Sequence, residues 1–190
     1  MGTNTTYEAL NTTTPYYRAG HVWIYRKDSG FNITDWNSPD LRKGVIGIVD
    51  KSPVSVALDA NDLMANAKPY RLMRDLTKSP GQLVDHVVSG EIDVAIMWGP
   101  IGCYYAKKSN EDLVVNLIPE YAECNEKLTG KTYWNISAGV RKKDDARRDM
   151  IEAALIRNKD KIRKIMDDFG IPYAEPVFAD RLDGYQRHKK

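Results

Sequence analysis

The chain has 190 residues, of which 42% are hydrophobic and 28% are charged, a composition typical of a folded globular domain rather than a disordered or fibrous chain. Its 28 basic and 26 acidic residues leave a formal net charge of +2, which excludes the strong positive field of a nucleic-acid-binding domain. The sequence contains neither a signal-peptide pattern nor an apolar run of the roughly 20 residues that a membrane-spanning helix needs. We therefore expect no nucleic-acid partner and no membrane span.

The first third of the chain alternates strand and turn patterns. Gly20–Arg26 is rich in β-forming residues and predicts a strand, and Asp35–Gly44 consists of turn residues with at most one short helical turn. Val45–Val49 is a continuous apolar run of strand length, typical of a parallel sheet that is covered on both faces. Ser52 is then predicted to cap a helix that has Pro53 at its first position.

The middle of the chain repeats this order. Tyr70–Met73 predicts a short strand, and a second helix opens after Ser79, carries one apolar stripe and ends at Gly90. Ile92–Trp98 predicts another buried strand, followed at once by a helix that begins at Gly99. Strands that alternate with helices in this way predict an α/β unit with right-handed crossovers.

The last third predicts two more strands and one long helix. The strands are Leu113–Ile118 and Trp134–Val140, and the amphipathic helix is Lys143–Phe169, ended by Gly170. The apolar stripe of this helix comprises Ile151, Leu155, Ile162, Ile165, Met166 and Phe169. Tyr173–Lys190 shows no period and is interpreted as an arm or tail.

Catalytic and metal-binding motifs are not found in the sequence. It has no phosphate-binding glycine loop, and His21, His86 and His188 are far apart, which favours packing or surface roles. Cys103 and Cys124 match no zinc motif, and one disulfide or two free thiols remain equally open. Nothing in these patterns requires an enzyme.

A ligand crevice is predicted where strands end and helices begin, as is usual in an open α/β sheet. The residues expected to face it are Lys51, Ser52, Ser55, Trp98 and Gly99. Tyr16, Tyr17 and Tyr104 are candidates, with Trp98, for aromatic walls or a partner anchor. Packing in the core is the competing interpretation for these aromatic residues.

The order of several segments resembles the second half of type II periplasmic solute-binding proteins. The segments are TTTPYYRAGHVWIYRK (Thr12–Lys27), DLRKGVIGIV (Asp40–Val49), GEIDVAIMWGPIGCYYAKK (Gly90–Lys108) and ISAGVRKKDDARRDMIEAAL (Ile136–Leu155). The resemblance implies an α/β lobe with a mostly parallel sheet and flanking helices. It implies a crossover segment at residues 1–20, lobe two at 20–134, and a return strand, long helix and tail of lobe one at 135–190.

WGPIGCYYA after GEIDVAIM, together with RNKDKIRKIMDDFGIP, is most similar to MxaJ/XoxJ-type accessory proteins of quinoprotein alcohol dehydrogenases. This resemblance implies a non-enzymatic periplasmic protein without a cofactor or metal of its own. Its partner would be a pyrroloquinoline quinone enzyme that depends on calcium or a lanthanide, and its role would be in assembly or activation of that enzyme. The expected ligand- or partner-binding residues are Tyr16, Arg18, Ser52, Ser55, Trp98 and Gly99.

Two positions depart from the pattern of amino-acid transporters. Thr6 stands where those proteins commonly have the arginine that holds the ligand carboxylate, and Trp98 stands where they have the aspartate that holds its ammonium group. Each lost charge-assisted contact is worth about 1.5–3 kcal/mol, so an ordinary amino acid is a poor candidate ligand. The alternative function is the solute-binding component of an ABC importer for a small polar or aromatic ligand, and a soluble enzyme ranks third.

The resemblance leads us to expect most of lobe one before the Pro15-Tyr16-Tyr17 strand. In this sequence, only a few residues precede that strand. We therefore expect a shortened lobe one, with the apolar stripe of the helix at Lys143–Phe169 left uncovered. An uncovered stripe of this size favours an interface, so the sequence predicts self-association.

Overall fold

A computed structural model describes residues 10–72, 77–119 and 132–176 of the chain. These residues form two compact units. The first unit contains residues 10–19, 134–168 and 173–176, and the second contains the described parts of 20–133 together with 169–172. The sequence predictions that concern Thr6, Met73, Cys124 and residues 177–190 lie outside the described residues.

The helices and strands are numbered in chain order. The strands are β1 (Leu10–Thr12), β2 (Tyr17–Arg26), β3 (Ile46–Val49), β4 (Ala67–Tyr70), β5 (Val94–Trp98), β6 (Leu113–Leu117), β7 (Tyr133–Ile136) and β8 (Gly139–Arg141). The helices are α1 (Val54–Ala60), α2 (Gln82–Ser89), α3 (Gly99–Ser109), α4 (Asp145–Arg157) and α5 (Lys159–Asp168), with short 3-10 turns at Lys27–Ser29, Pro39–Arg42 and Met64–Asn66.

The sheet of the second unit has the strand order β4-β3-β5-β2-β6, and β7 also pairs with β2. β3 runs parallel to both β4 and β5, as the continuous apolar run predicted. β2 is antiparallel to β5 and to β6, so the sheet is mixed and its parallel part is limited to β3, β4 and β5. The α/β class is confirmed, with helices between the parallel strands.

The second unit has a hydrophobic core on each face of its sheet. Because side chains alternate along a strand, Trp23 and Tyr25 of β2 enter one cluster with α1, whereas Val22 and Ile24 enter the other with α2 and α3. Trp36 packs edge-on against Trp23, with the ring centroids 4.5 Å apart. Coverage of both faces explains why the sequence of β2 is apolar almost throughout.

The first unit contains a small two-stranded antiparallel sheet, in which β1 pairs with β8. Its buried apolar side chains, among the described residues, are Ala19, Val140 and Met166. Met150 and Ile156 of α4 are 65% and 67% exposed. The first unit therefore buries much less apolar surface than the second.

Four sequence predictions were wrong in detail. The strand predicted at Tyr70–Met73 is found earlier in the chain, at Ala67–Tyr70. The helix after β3 begins at Val54 and Ser52 does not cap it. The predicted single helix at Lys143–Phe169 is divided into α4 and α5 at Asn158, whose side-chain amide donates to the Ala154 carbonyl at 2.8 Å. Such local bonds compete with continuous helix. The predicted strand at Trp134–Val140 is divided into β7 and β8.

None of the helices within the described residues has the length and apolarity to cross a membrane.

Candidate functional site

The six predicted binding residues are distributed over the two units. Tyr16 and Arg18 lie in the first unit, and the other four lie in the second. The four in the second unit are Ser52, Ser55, Trp98 and Gly99. Whether all six line one crevice stays a prediction, and each group is described here by itself.

In the second unit, one edge of the sheet positions all four of its predicted residues. β3 and β5 are parallel neighbours, with Ile48 opposite Ile96, so their carboxyl ends reach the same edge. The turn that carries Ser52 follows β3, and Gly99 follows β5 as the first residue of α3. This edge is where ligands bind in open α/β sheets.

The turn after β3 leaves one hydroxyl unused. Lys51 adopts a left-handed conformation with φ of 58°, and the Ser52 N–H donates to the Val49 carbonyl at 3.1 Å, which closes a tight turn. The Ser55 hydroxyl donates to the Ser52 carbonyl at 2.7 Å. The Ser52 Oγ atom is shielded from solvent and has no hydrogen-bond partner in the described part of the chain. A shielded polar atom without a partner is unfavourable unless a ligand or water completes it.

The start of α3 places an indole beside a buried imidazole. The rings of Trp98 and His21 meet edge to face with centroids 5.5 Å apart. His21 is opposite Trp98 in the β2–β5 register, a pairing that the sequence prediction of separate packing roles for the histidines did not anticipate. The pairing of β2 with β5 brings His21 next to Trp98, one of the predicted crevice residues. Recognising this requires the register of the two strands, which the sequence does not provide.

Burial keeps the His21 ring neutral. Removal from solvent lowers the His21 pKa, and the bond to the Thr132 carbonyl raises it by a smaller amount. The contact from Nδ1 to that carbonyl oxygen is 3.2 Å, and because a carbonyl only accepts, the proton lies on Nδ1. Nε2 of the neutral ring is then an acceptor.

Gly99 fits this position because a side chain does not. A Cβ at Gly99 would lie 2.6 Å from the backbone carbonyl oxygen of Gly20 on β2. The absence of a side chain therefore lets the first turn of α3 approach the sheet and fixes the place of Trp98.

In the first unit, Arg18 is a buried bracing residue. Only 2% of it is exposed, its Nη1 donates to Asn135 Oδ1 at 2.9 Å, and its backbone N–H donates to the Ala174 carbonyl at 3.2 Å. These bonds tie β2 to β7 and to the segment after α5. Its side chain thus already serves a structural role within the first unit.

Tyr16 borders a cavity of about 230 Å³ in the first unit. The tyrosine packs on Tyr17 with centroids 5.1 Å apart, and burial raises its pKa. Across the cavity, Glu152 Oε1 accepts from the Thr14 hydroxyl at 2.5 Å. Leu155 and Ile162 of the predicted helical stripe also line it. The cavity therefore combines apolar walls with a carboxylate that is already hydrogen-bonded.

Within the described residues, no three His, Cys, Asp or Glu side chains cluster so that they could hold a metal ion. Cys103 is a buried free cysteine, and burial raises its pKa to about 12. A thiol in this state is a poor nucleophile.

No protein-family model matches the chain. Protein MoxJ of Methylorubrum extorquens is 26% identical over 171 residues, an alignment that covers 85% of this chain and 57% of MoxJ. The chain thus spans less than two thirds of the length of this curated relative.

Two solved structures of periplasmic proteins of this type are similar to the chain in fold. MxaJ from Methlophaga aminisulfidivorans MPT matches with a TM-score of 0.78 and 29% identity, over 92% of this chain and 75% of MxaJ. The periplasmic binding protein XoxJ from Methylobacterium extorquens AM1 matches with a TM-score of 0.73 and 20% identity, over 88% of this chain and 74% of XoxJ. The chain therefore has the fold of a periplasmic solute-binding protein, and its predicted resemblance to MxaJ/XoxJ-type proteins is confirmed.

Proposed function

We propose that this chain is a non-enzymatic periplasmic accessory protein of a quinoprotein, pyrroloquinoline quinone-dependent alcohol or methanol dehydrogenase, and that it acts in assembly or activation of that enzyme. The observation that carries the proposal is the similarity to MxaJ, which extends over 92% of the chain. The quinone and its metal would belong to the dehydrogenase. The role assigned to the chain is to contact that enzyme.

The proposed contact residues are the predicted ones except Arg18, which is buried and already bonded within the first unit. In the second unit, Ser52 offers an unused hydroxyl and Trp98 an aromatic surface at the edge where β3 and β5 end. Trp98 replaces the aspartate that an amino-acid transporter would use for an ammonium group. This replacement supports a partner or ligand without a free amino group.

A binding role agrees better with this chemistry than an enzymatic one. An activated serine needs a general base within hydrogen-bond reach. The Ser52 Oγ atom has no hydrogen-bond partner in the part of the chain that the structure describes. Cys103, the buried thiol, has its pKa raised to about 12 and is held in its unreactive form.

The second candidate is the solute-binding component of an ABC importer. It is favoured by the shielded Ser52 hydroxyl, which has no partner among the described residues and offers a hydrogen bond without a fixed charge. A small polar or aromatic solute would suit this environment. A small molecule that copurifies with the chain and is retained through desalting would favour this candidate.

The test of the accessory role is a reconstitution assay. Purified apo-dehydrogenase is mixed with pyrroloquinoline quinone and calcium, with or without an equimolar amount of the chain, and the active fraction is followed over time. We expect the chain to increase the rate or the final yield of active enzyme. Equal curves with the chain and with a denatured sample of it would contradict the proposal. Trp98→Ala serves as the site variant, and Lys161→Glu on α5 as the surface control.

A further inference from the structure

Helix α3 packs on the sheet through small residues. Gly102, Cys103 and Ala106 are buried on its inner face. A Cβ at Gly102 would lie only 2.9 Å from the Ile24 side chain and 3.1 Å from the Val22 side chain of β2. The helix therefore lies close to the sheet and has no room for large side chains on this side.

The larger side chains of α3 lie outside this fully buried inner strip; Tyr104 and Tyr105 are half-buried, and Tyr105 packs partly against the core on this side of the sheet. Ile101, Tyr104, Tyr105 and Lys108 follow at intervals of three, four and seven residues, which places them on one face of a helix. Ile101 is 41% exposed. Phe169, 45% exposed, adds a ring whose centroid lies 5.6 Å from that of Tyr104. We call these five residues the α3 face. The α3 face thus combines two exposed apolar side chains, Ile101 and Phe169, with two half-buried tyrosine rings and the exposed Lys108.

The aromatic rings of the α3 face are held in place. Tyr104 and Tyr105 meet edge to face with centroids 5.0 Å apart. Tyr105 packs against Gly81 so closely that a Cβ at this glycine would overlap its ring. Rings already fixed in this way lose little conformational freedom when a partner binds, and tyrosine is enriched among the residues that dominate interface energies.

The charge of α3 indicates what kind of partner would fit. Its sequence, GPIGCYYAKKS, contains two lysines and no carboxylate. The Lys108 Nζ lies 5.8 Å from the Tyr104 ring centroid and 5.9 Å from that of Tyr105. Within the described residues, Lys108 has no salt bridge. An exposed ammonium group beside half-buried aromatic rings complements an apolar patch edged by carboxylates.

We propose that the α3 face is the docking surface for the partner dehydrogenase, and that it contacts an apolar patch of that enzyme edged by Asp or Glu side chains. The proposal rests on the accessory function and specifies where the partner binds. The α3 face lies entirely within the second unit. None of its five residues is among the six predicted binding residues, although α3 itself begins at one of them, Gly99.

The test is binding of the chain to immobilised, purified quinoprotein methanol dehydrogenase, measured as Kd on a biosensor. Tyr104→Ala and Lys108→Glu are each expected to weaken binding about tenfold or more, since truncating a dominant contact costs at least one factor of ten. Tyr104→Phe keeps the ring and is expected to stay within about threefold of the original chain. Circular dichroism establishes that each variant folds.

Two control variants make the same kinds of substitution at exposed positions outside the α3 face. Lys161→Glu reverses an exposed lysine on α5, and Met150→Ala truncates an exposed apolar side chain on α4. Both are expected to bind as the original chain does. If the controls weaken binding while the α3 variants do not, docking occurs elsewhere and the proposal is overturned.

The remaining outcomes separate this proposal from the function on which it rests. If the original chain binds and the α3 variants bind equally well, the docking surface is wrong and the accessory function stands. If the original chain does not bind, the accessory function fails, and the proposed docking fails with it. Loss of self-association in Tyr104→Ala, or loss of binding to phosphatidylglycerol vesicles, would assign the α3 face to a second copy or to a lipid surface and would overturn the proposal.

Discussion

The close approach of α3 to the sheet at Gly99 gives the sharpest stability prediction. Gly99→Ala adds one Cβ that would lie 2.6 Å from the Gly20 carbonyl oxygen, a distance that real Cβ atoms essentially never show. The contacted atom is backbone of β2, which is paired with β5 and β6 and cannot move alone. The first turn of α3 must therefore shift outward.

The expected magnitude follows from two opposing terms. Alanine is favoured over glycine in a helix interior by about 1 kcal/mol, and by less at a first position such as this one. Forcing an extra methyl group into a packed contact costs about 1–3 kcal/mol. Because the obstacle is backbone and not a flexible side chain, we expect a net loss of about 1–3 kcal/mol in the free energy of unfolding. Gly102→Ala, which meets the ends of side chains, should lose less.

The assay is urea unfolding followed by tryptophan fluorescence, because Trp23, Trp36 and Trp98 report on the second unit. A lower midpoint with an unchanged slope would show a loss of stability. Asp59→Ala, on the exposed side of α1, is the control and should change stability by no more than about 0.5 kcal/mol. A Gly99→Ala protein as stable as the original chain would refute the packing argument.

Three further predictions concern titration, thiol reactivity and assembly. Burial lowers the His21 pKa, so the unfolded state takes up a proton more readily than the folded state. The free energy of unfolding should therefore fall as pH drops below about 6.5 and level off below the folded-state pKa. His21→Gln should weaken this pH dependence, which urea titrations at several pH values measure. With its pKa raised to about 12, Cys103 should react slowly with a thiol reagent at neutral pH in the folded protein and rapidly in urea, and rapid native labelling would contradict this. The exposed side chains of α4 should support concentration-dependent self-association in sedimentation, weakened by Met150→Lys and Ile156→Lys; a single monomeric species at all concentrations would contradict it.

The sequence predicted the second unit well because its signals are local. A continuous apolar run predicted β3, and β3 has parallel neighbours on both sides. The helix after Ser79 ends at Gly90, which has the left-handed φ of 77° that favours glycine.

The features that sequence reasoning missed depend on the register of paired strands and on side chains that bond to backbone carbonyls inside a helix. The β2–β5 register that places His21 beside Trp98 arises from pairing between segments far apart in the chain. Asn158 divides the predicted long helix because its side chain competes for a helical carbonyl. A periodicity of apolar residues continues across such a break and therefore cannot reveal it.

The resemblance to a known family supplied the fold and the proposed partner, whereas the residues supplied the chemistry of the edge. Ser52 illustrates the difference. Its pattern with Pro53 predicted a helix cap, yet the turn closed by Val49 leaves the hydroxyl unused. Ser52 therefore does not cap the helix, and its role as a binding residue stays a prediction that its unpartnered hydroxyl supports.

The central claim is tested most directly by native mass spectrometry of the chain mixed with a purified quinoprotein methanol dehydrogenase at near-physiological salt. The accessory role predicts a species whose mass equals the sum of the chain and the enzyme, reduced in the Lys108→Glu mixture. Separate masses only, with the chain carrying a retained small molecule, would contradict the accessory role and support the importer.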